Sequence, residues 1–216
     1  MIPTGIKKLD DILGGGIKNG IITDIHGAAG TGKTQLAMQI AINSVLEGGL
    51  VFFHDTTGNF RPERMLEMLK AKNYDYDILQ KIQVARITNV SEQKQNLKKI
   101  QKNNYSLIII DNIAELFSFE FSKDSQLLEK NTLFMKYMHD LALLAIEKNI
   151  PIIITNGIRH FDNTEKEILE KAVSMFTHVK IKLTKNEKSF TGKVSTAVSQ
   201  NDFNYLISSN GLEDSS

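Results

Sequence analysis

The sequence predicts a single α/β domain over residues 1–216, with a mainly parallel central sheet flanked by helices and antiparallel strands at its C-terminal edge. Three observations carry that prediction. Strand-like and helix-like segments alternate through the first two thirds of the chain, the order expected when helices cross between parallel strands. A glycine-rich turn joins the first strand to the first long helix. The run Leu107–Ile110 is apolar at every position, which places it inside a sheet covered on both faces.

The elements follow in order. Gly20–His26 is a β-branched run leading into glycines, and Leu36, Ala37, Ile40, Ala41 and Val45 then recur at helical spacing until Gly48-Gly49. Leu50–His54 is the second strand. Pro62 opens a helix to about Lys72, with Met65, Leu66 and Leu69 as its buried side. Ile82–Ile87 is the third strand, Ser91–Lys102 a polar surface helix and Leu107–Ile110 the fourth strand. Leu127, Phe134, Met138, Leu141 and Ala145 trace a long helix before the fifth strand, Pro151–Thr155. After a helix over Glu165–Ser174, the pattern changes to strands at Thr177–Leu183, Phe190–Ala197 and Asn204–Ile207, with a turn at Lys185–Lys188. The terminal GLEDSS is polar and expected to fray.

Composition narrows the function. Lys plus Arg number 26 against 25 Asp plus Glu, so any contact with nucleic acid must be local rather than driven by a whole-chain field. Hydrophobic residues at 41% and charged residues at 24% exclude intrinsic disorder. The absence of cysteine excludes disulfides, thiolate metal sites and cysteine nucleophiles, and fits a reducing compartment. No apolar run approaches the roughly 18 residues of a membrane span, and the N-terminus lacks an apolar signal core, so a cytoplasmic chain with no membrane partner is expected. The five histidines show no metal-ligand spacing along the chain.

Chemistry concentrates in the first turn. Gly27-Ala28-Ala29-Gly30-Thr31-Gly32-Lys33-Thr34, followed by Gln35, fits G-x-x-x-x-G-K-[ST] between a strand and a helix. Such glycines let backbone N–H groups wrap a phosphate, while the helix N-terminus and Lys33 supply positive charge. The Thr34 hydroxyl is placed to hold Mg²⁺, and Asp111, at the end of the buried fourth strand, to hold a magnesium-bound water. Bound ATP with Mg²⁺ is the expected cofactor pair.

On these residues the chain resembles the core ATPase domain of the RecA/RadA recombinase family, in particular its short archaeal RadB-type paralogues. Further matches are Ile2-Pro3-Thr4-Gly5, Leu9-Asp10, Gly14-Gly15-Gly16, Phe60-Arg61-Pro62-Glu63-Arg64, Thr155-Asn156 and Gly211-Leu212-Glu213-Asp214. The resemblance implies a RecA-like P-loop NTPase core, starting where the recombinase ATPase core starts and without a preceding helical domain. It also implies a role in DNA recombination and DNA repair, with ATP, single-stranded DNA, a recombinase or other repair protein, and a weak homo-oligomer as partners.

Departures from the family pattern define the expected activity. The glutamate that activates the attacking water in relatives falls at Thr57, and a threonine hydroxyl is a poor base. Asp55, two residues earlier and on the same face of an extended chain, is the candidate replacement and joins Lys33 and Asp111 as a candidate catalytic residue. The family glutamine after the fifth strand falls at Gly157, and the loop that caps a neighbour's nucleotide is shortened to Ser199–Asp202. These losses imply ATP binding with weak or absent hydrolysis.

Two loops would face DNA under the resemblance. Phe117–Lys123 carries three phenylalanines, for which packing is favoured over base stacking. Arg159, His160 and Phe161 bring a cation and an aromatic into the second loop, Gly157–Asp162. Lys180 and Lys182 share one face of a strand near Lys185, Lys188 and Lys193; phosphate binding and protection of an exposed sheet edge explain them equally. Two rival functions remain at this point, a KaiC-like signalling ATPase and a pseudo-ATPase scaffold for a repair partner.

Overall fold

The computed structural model describes residues 1–161, 164–187 and 189–215; the side chains at 160, 161 and 164 also fall outside the description. Asp162 of the expected loop and Lys188 of the expected turn therefore lie outside the described residues, as do the side chains of His160 and Phe161.

The elements, in chain order, are α1 (Lys7–Leu13), β1 (Ile22–Gly27), α2 (Lys33–Leu46), β2 (Val51–Asp55), α3 (Pro62–Ala71), β3 (Ile82–Arg86), α4 (Val90–Gln101), β4 (Leu107–Asp111), α5 (Glu115–Glu120), α6 (Leu127–Lys148), β5 (Ile152–Phe161), β6 (Thr164–Glu167), α7 (Glu170–Phe176), β7 (Thr177–Lys185), β8 (Phe190–Thr196), β9 (Gln200–Ser208) and β10 (Gly211–Asp214). They form a ten-stranded sheet in the order β10-β9-β8-β7-β1-β5-β4-β2-β3, with β6 paired to β5 off that path. From β7 to β3 neighbouring strands are parallel, and β8, β9 and β10 complete the other edge antiparallel.

Alternate residues of the central strands feed two apolar layers. Ile109, Ile153, Phe53 and Ile25 pack with Leu36, Ile40, Met65 and Leu69, whereas Ile108, Ile110, Ile152 and Ile154 pack with Phe134, Met138 and Leu141. Both faces of β4 are thus covered, as its unbroken apolar run requires.

Several expectations need correction. The buried side of α3 is Met65, Met68 and Leu69; Leu66 is exposed, because the i, i+3, i+4 pattern rather than adjacency defines a helix face. The first part of the expected Glu165–Ser174 helix is strand β6, and only Glu170–Phe176 is helical. β5 continues through the segment expected to be a loop after Asn156, and it turns back through β6 as an antiparallel hairpin. Phe117–Glu120 lies in α5 rather than in a loop. Gln200–Asp202, expected in a shortened loop, already belongs to β9.

Of the terminal segment, Gly211–Asp214 is strand rather than frayed coil. Leu212 is buried, its N–H donates to Gln39 Oε1 at 2.7 Å, and Gln39 Nε2 donates to the carbonyls of Leu212 at 3.0 Å and Thr4 at 2.8 Å. Asp214 accepts hydrogen bonds from the backbone N–H groups of Lys7 and Lys8 at 2.8 and 2.9 Å, satisfying two donors of the first turn of α1. No helix among the described residues is long and apolar enough to cross a membrane.

Candidate functional site

The C-terminal ends of β1, β2, β4 and β5 open onto a cleft of about 950 Å³ lined by Gly27, Lys33, Thr34, Arg86, Asp111 and Glu115, among others. Crevices at the carboxyl ends of parallel strands are where such sheets bind ligands. Gly27 must be glycine for two reasons: its φ is +153°, and a Cβ there would meet the Leu183 carbonyl oxygen at 2.1 Å. Across the loop, Thr31 Oγ1 donates to the Ala28 carbonyl at 2.9 Å, and the Tyr205 hydroxyl donates to the Thr31 carbonyl at 2.7 Å. The distant strand β9 therefore braces the glycine-rich turn.

Lys33 Nζ donates to the carbonyls of Gly27 and Ala28 at 2.9 and 2.8 Å. Burial lowers its pKa from the ordinary lysine value, against the opposing charge of Asp111. The structure brings Thr34 and Asp111 together: Thr34 Oγ1 donates to Asp111 Oδ2 at 2.8 Å, while the Thr155 hydroxyl donates to Asp111 Oδ1. Burial raises the Asp111 pKa, and hydrogen bonds from Thr155 and Thr34 counter that shift. A hydroxyl and a carboxylate side by side beneath a lysine form a hard-oxygen donor set that fits magnesium.

Asp55 has a different setting. Its Oδ1 accepts backbone N–H groups from Thr57 at 3.1 Å, Gly58 at 2.7 Å and Asn59 at 3.3 Å, and Oδ2 accepts that of Phe60 at 3.4 Å. Arg86 Nη1 stands 3.4 Å from the same Oδ1. The turn is packed closely enough that a Cβ on Gly58 would come within 2.8 Å of the Arg86 guanidinium. With its acceptor positions facing these donors, the Asp55 carboxylate organises the turn that carries Thr57. Thr57 itself lines the cleft.

Arg86, Glu115 and Thr155 were not singled out from sequence. Thr155 was legible only as part of a family match, and neither Arg86 nor Glu115 sits in the phosphate-loop pattern. Phe117 is buried against Phe134, ring centroids 5.1 Å apart and nearly perpendicular, whereas Phe119 is 80% exposed at the mouth of the cleft. The three phenylalanines therefore do not act as one surface.

The candidate DNA contacts separate as well. Arg159 is exposed on β5 and in register with Lys166 on β6, an adjacent cation that sequence reading passed over. Lys180 Nζ donates to Glu167 and, at 3.0 Å, to Ser174 Oγ; Lys182 Nζ lies 3.0 Å from Glu165. Strand β7 lies between β1 and β8, so protection of an open sheet edge does not explain these lysines. Their immediate partners are carboxylates of β6 and, for Lys180, Asp24 of β1 as well.

Fold and cleft together define a RecA-like α/β core. The Rad51 family model matches residues 1–215, and the chain belongs to that family of RecA/RadA recombinases, in its RadB type. It is 38% identical over 172 residues to the DNA repair and recombination protein RadB of Thermococcus sibiricus, covering 78% of this chain and 72% of that protein. The RadB proteins of Thermococcus onnurineus and Pyrococcus furiosus are 36% and 32% identical, each over 76% of this chain and 71% of the relative.

Proposed function

We propose that this chain is an ATP-binding accessory protein of homologous recombination and DNA repair, with weak or absent ATP hydrolysis and weak binding of single-stranded DNA. The observation that carries the reading is the Thr34–Asp111 hydrogen bond directly below a glycine-rich turn and Lys33, together with threonine at position 57. The turn supplies backbone donors to phosphate oxygens, and Lys33, exchanging its two carbonyl partners for phosphate, supplies charge. Magnesium held from Thr34 Oγ1 and, through water, from Asp111 would neutralise charge on the phosphate oxygens.

The repair role rests on Rad51 family membership and on similarity to the DNA repair and recombination proteins RadB, which favour it over KaiC-like signalling. A scaffold in which nucleotide is a structural ligand for a recombinase or other repair partner is the second reading. The tethering of Asp55 by four backbone N–H groups favours it, because that carboxylate is then not free to activate water. Matched measurements of ATP affinity and turnover, with and without single-stranded DNA, test both. Tight binding with turnover near background supports the accessory reading; fast DNA-stimulated hydrolysis overturns it.

A further inference from the structure

Behind the nucleotide cleft, β1, β6 and β7 bring a second group of ionisable side chains together. Asp24 and His26 lie two residues apart on β1 and share a face, Lys180 is in register with Asp24 on β7, and Glu167 ends β6. One ligand atom from each of Asp24, His26 and Glu167 lies within 4.8 Å of the others. Asp24 is fully buried, yet neither of its carboxylate oxygens accepts a hydrogen bond from the described residues.

His26 Nδ1 stands 2.9 Å from Asp24 Oδ2, but it too lacks a hydrogen-bond partner. The two atoms touch without the alignment a hydrogen bond requires. Electron-pair donors around one ion stand in this way: at metal–ligand distances of roughly 2.0–2.2 Å, neighbouring ligand atoms are about 3 to 3.5 Å apart.

Charge leads to the same conclusion. Two buried carboxylates, Asp24 and Glu167, face the single ammonium of Lys180, 3.6 Å from Asp24 and bonded to Glu167. Burying an unbalanced charge is costly. A divalent cation balances both carboxylates. Lys180 is then free to turn outward, since its side chain is 19% exposed and already reaches Ser174 Oγ at 3.0 Å.

We propose that Asp24, His26 and Glu167 form a binding site for a first-row divalent metal ion, separate from the Thr34–Asp111 pair, and that the Lys180 ammonium competes with the ion for it. One imidazole nitrogen with two carboxylates suits Zn²⁺ or Mn²⁺ better than Mg²⁺ or Ca²⁺. The bound ion ties β6 to β1. Because Asn156 Nδ2 donates to Glu167 Oε1 at 2.7 Å and to the Ile168 carbonyl at 2.8 Å, it also fixes the base of the hairpin that carries Arg159.

The test is calorimetric titration of the full chain, stripped by chelator and free of nucleotide, with Zn²⁺ and Mn²⁺, alongside elemental analysis after desalting. One equivalent should bind. His26→Ala should weaken binding by about tenfold or more, the scale on which even the outer partners of metal ligands act. Lys180→Met should tighten it by removing the competitor, and Asp111→Asn should leave it unchanged. His26 is partly exposed, so its alanine variant remains informative if Asp24→Asn fails to fold. No binding by the wild type, unchanged affinity in His26→Ala, or weaker affinity in Lys180→Met overturns the proposal. Loss of binding in Asp111→Asn with none in His26→Ala would assign the ion to the nucleotide cleft, and also overturns it.

Discussion

Thr34 and Asp111, 77 residues apart in sequence, meet through a 2.8 Å hydrogen bond at the floor of the cleft. The contact joins the first turn of α2 to the end of β4, and Thr155 from β5 holds the other oxygen of the same carboxylate. Three elements thus fix one acidic group before any ligand arrives. Fixed groups of this kind bind without first losing side-chain freedom, which is the physical content of preorganisation.

Lys33→Ala is expected to abolish measurable ATP binding and to leave the fold intact. The Lys33 ammonium donates to loop carbonyls and lines the cleft, so its removal takes away charge rather than core packing. Titration with a fluorescent ATP analogue, with circular dichroism as the folding control, checks this. Unchanged affinity would remove the phosphate-loop assignment.

Thr57→Glu is expected to raise a very slow basal turnover, because it restores a carboxylate on the cleft wall. General-base assistance is worth roughly 10²- to 10⁴-fold, so even imperfect placement should be visible above background. Steady-state phosphate release from wild type, Thr57→Glu and Asp55→Asn separates the cases. Robust wild-type hydrolysis lost in Asp55→Asn would make Asp55 the base despite its four backbone donors.

The parallel core was legible because its strands are buried on both faces and therefore read as apolar runs, Leu107–Ile110 above all. The RecA-like family was legible in the glycine-rich turn and its flanking motifs. What escaped was pairing without an apolar signature. Thr164–Glu167 is wholly polar and becomes a strand by pairing with β5, while Gly211–Asp214 is ordered by Gln39, far away in sequence. Asp55 shows the same limit within the site. Spacing identified a carboxylate near the cleft, but only the fold shows that neighbouring N–H groups already surround it. Asp24 and His26 are a visible pair on one strand, yet Glu167 and Lys180 reach them only through the order of strands in the sheet.

Single-stranded DNA binding is expected to be weak and strongly salt-dependent, with Arg159→Ala lowering both affinity and salt slope. Each phosphate neutralised contributes a slope of roughly −0.7 for single strands, so loss of one contact should reduce the slope by about that amount. Lys180→Ala should change the slope less, since that ammonium is engaged with Glu167 and Asp24. Fluorescence anisotropy across a salt series measures both quantities. A salt-independent affinity would argue for stacking without phosphate contact.

The final prediction concerns stability and pH. His54 on β2 is fully buried beside Phe52, in register with Ala85 and Ile110, and neither ring nitrogen has a hydrogen-bond partner among the described residues. Burial lowers its pKa from 6.5 to about 4. The folded protein therefore holds a neutral imidazole over a range in which the unfolded chain takes up a proton. The stability linked to His54 is fully present above pH 6.5, declines as pH falls towards 4 and changes no further below that. Between pH 7 and 5 the loss should be about 2 kcal/mol, the slope approaching 1.36 kcal/mol per pH unit below 6.5. His54→Leu keeps a side chain of similar size without a titrating group, so it should lose less stability over the same interval. Urea unfolding of both proteins at pH 7 and pH 5 isolates the contribution, because carboxylates common to the two cancel in the difference. Equal losses would show that His54 is protonated as readily in the folded chain as in the unfolded one, and that the acid sensitivity of the fold originates elsewhere.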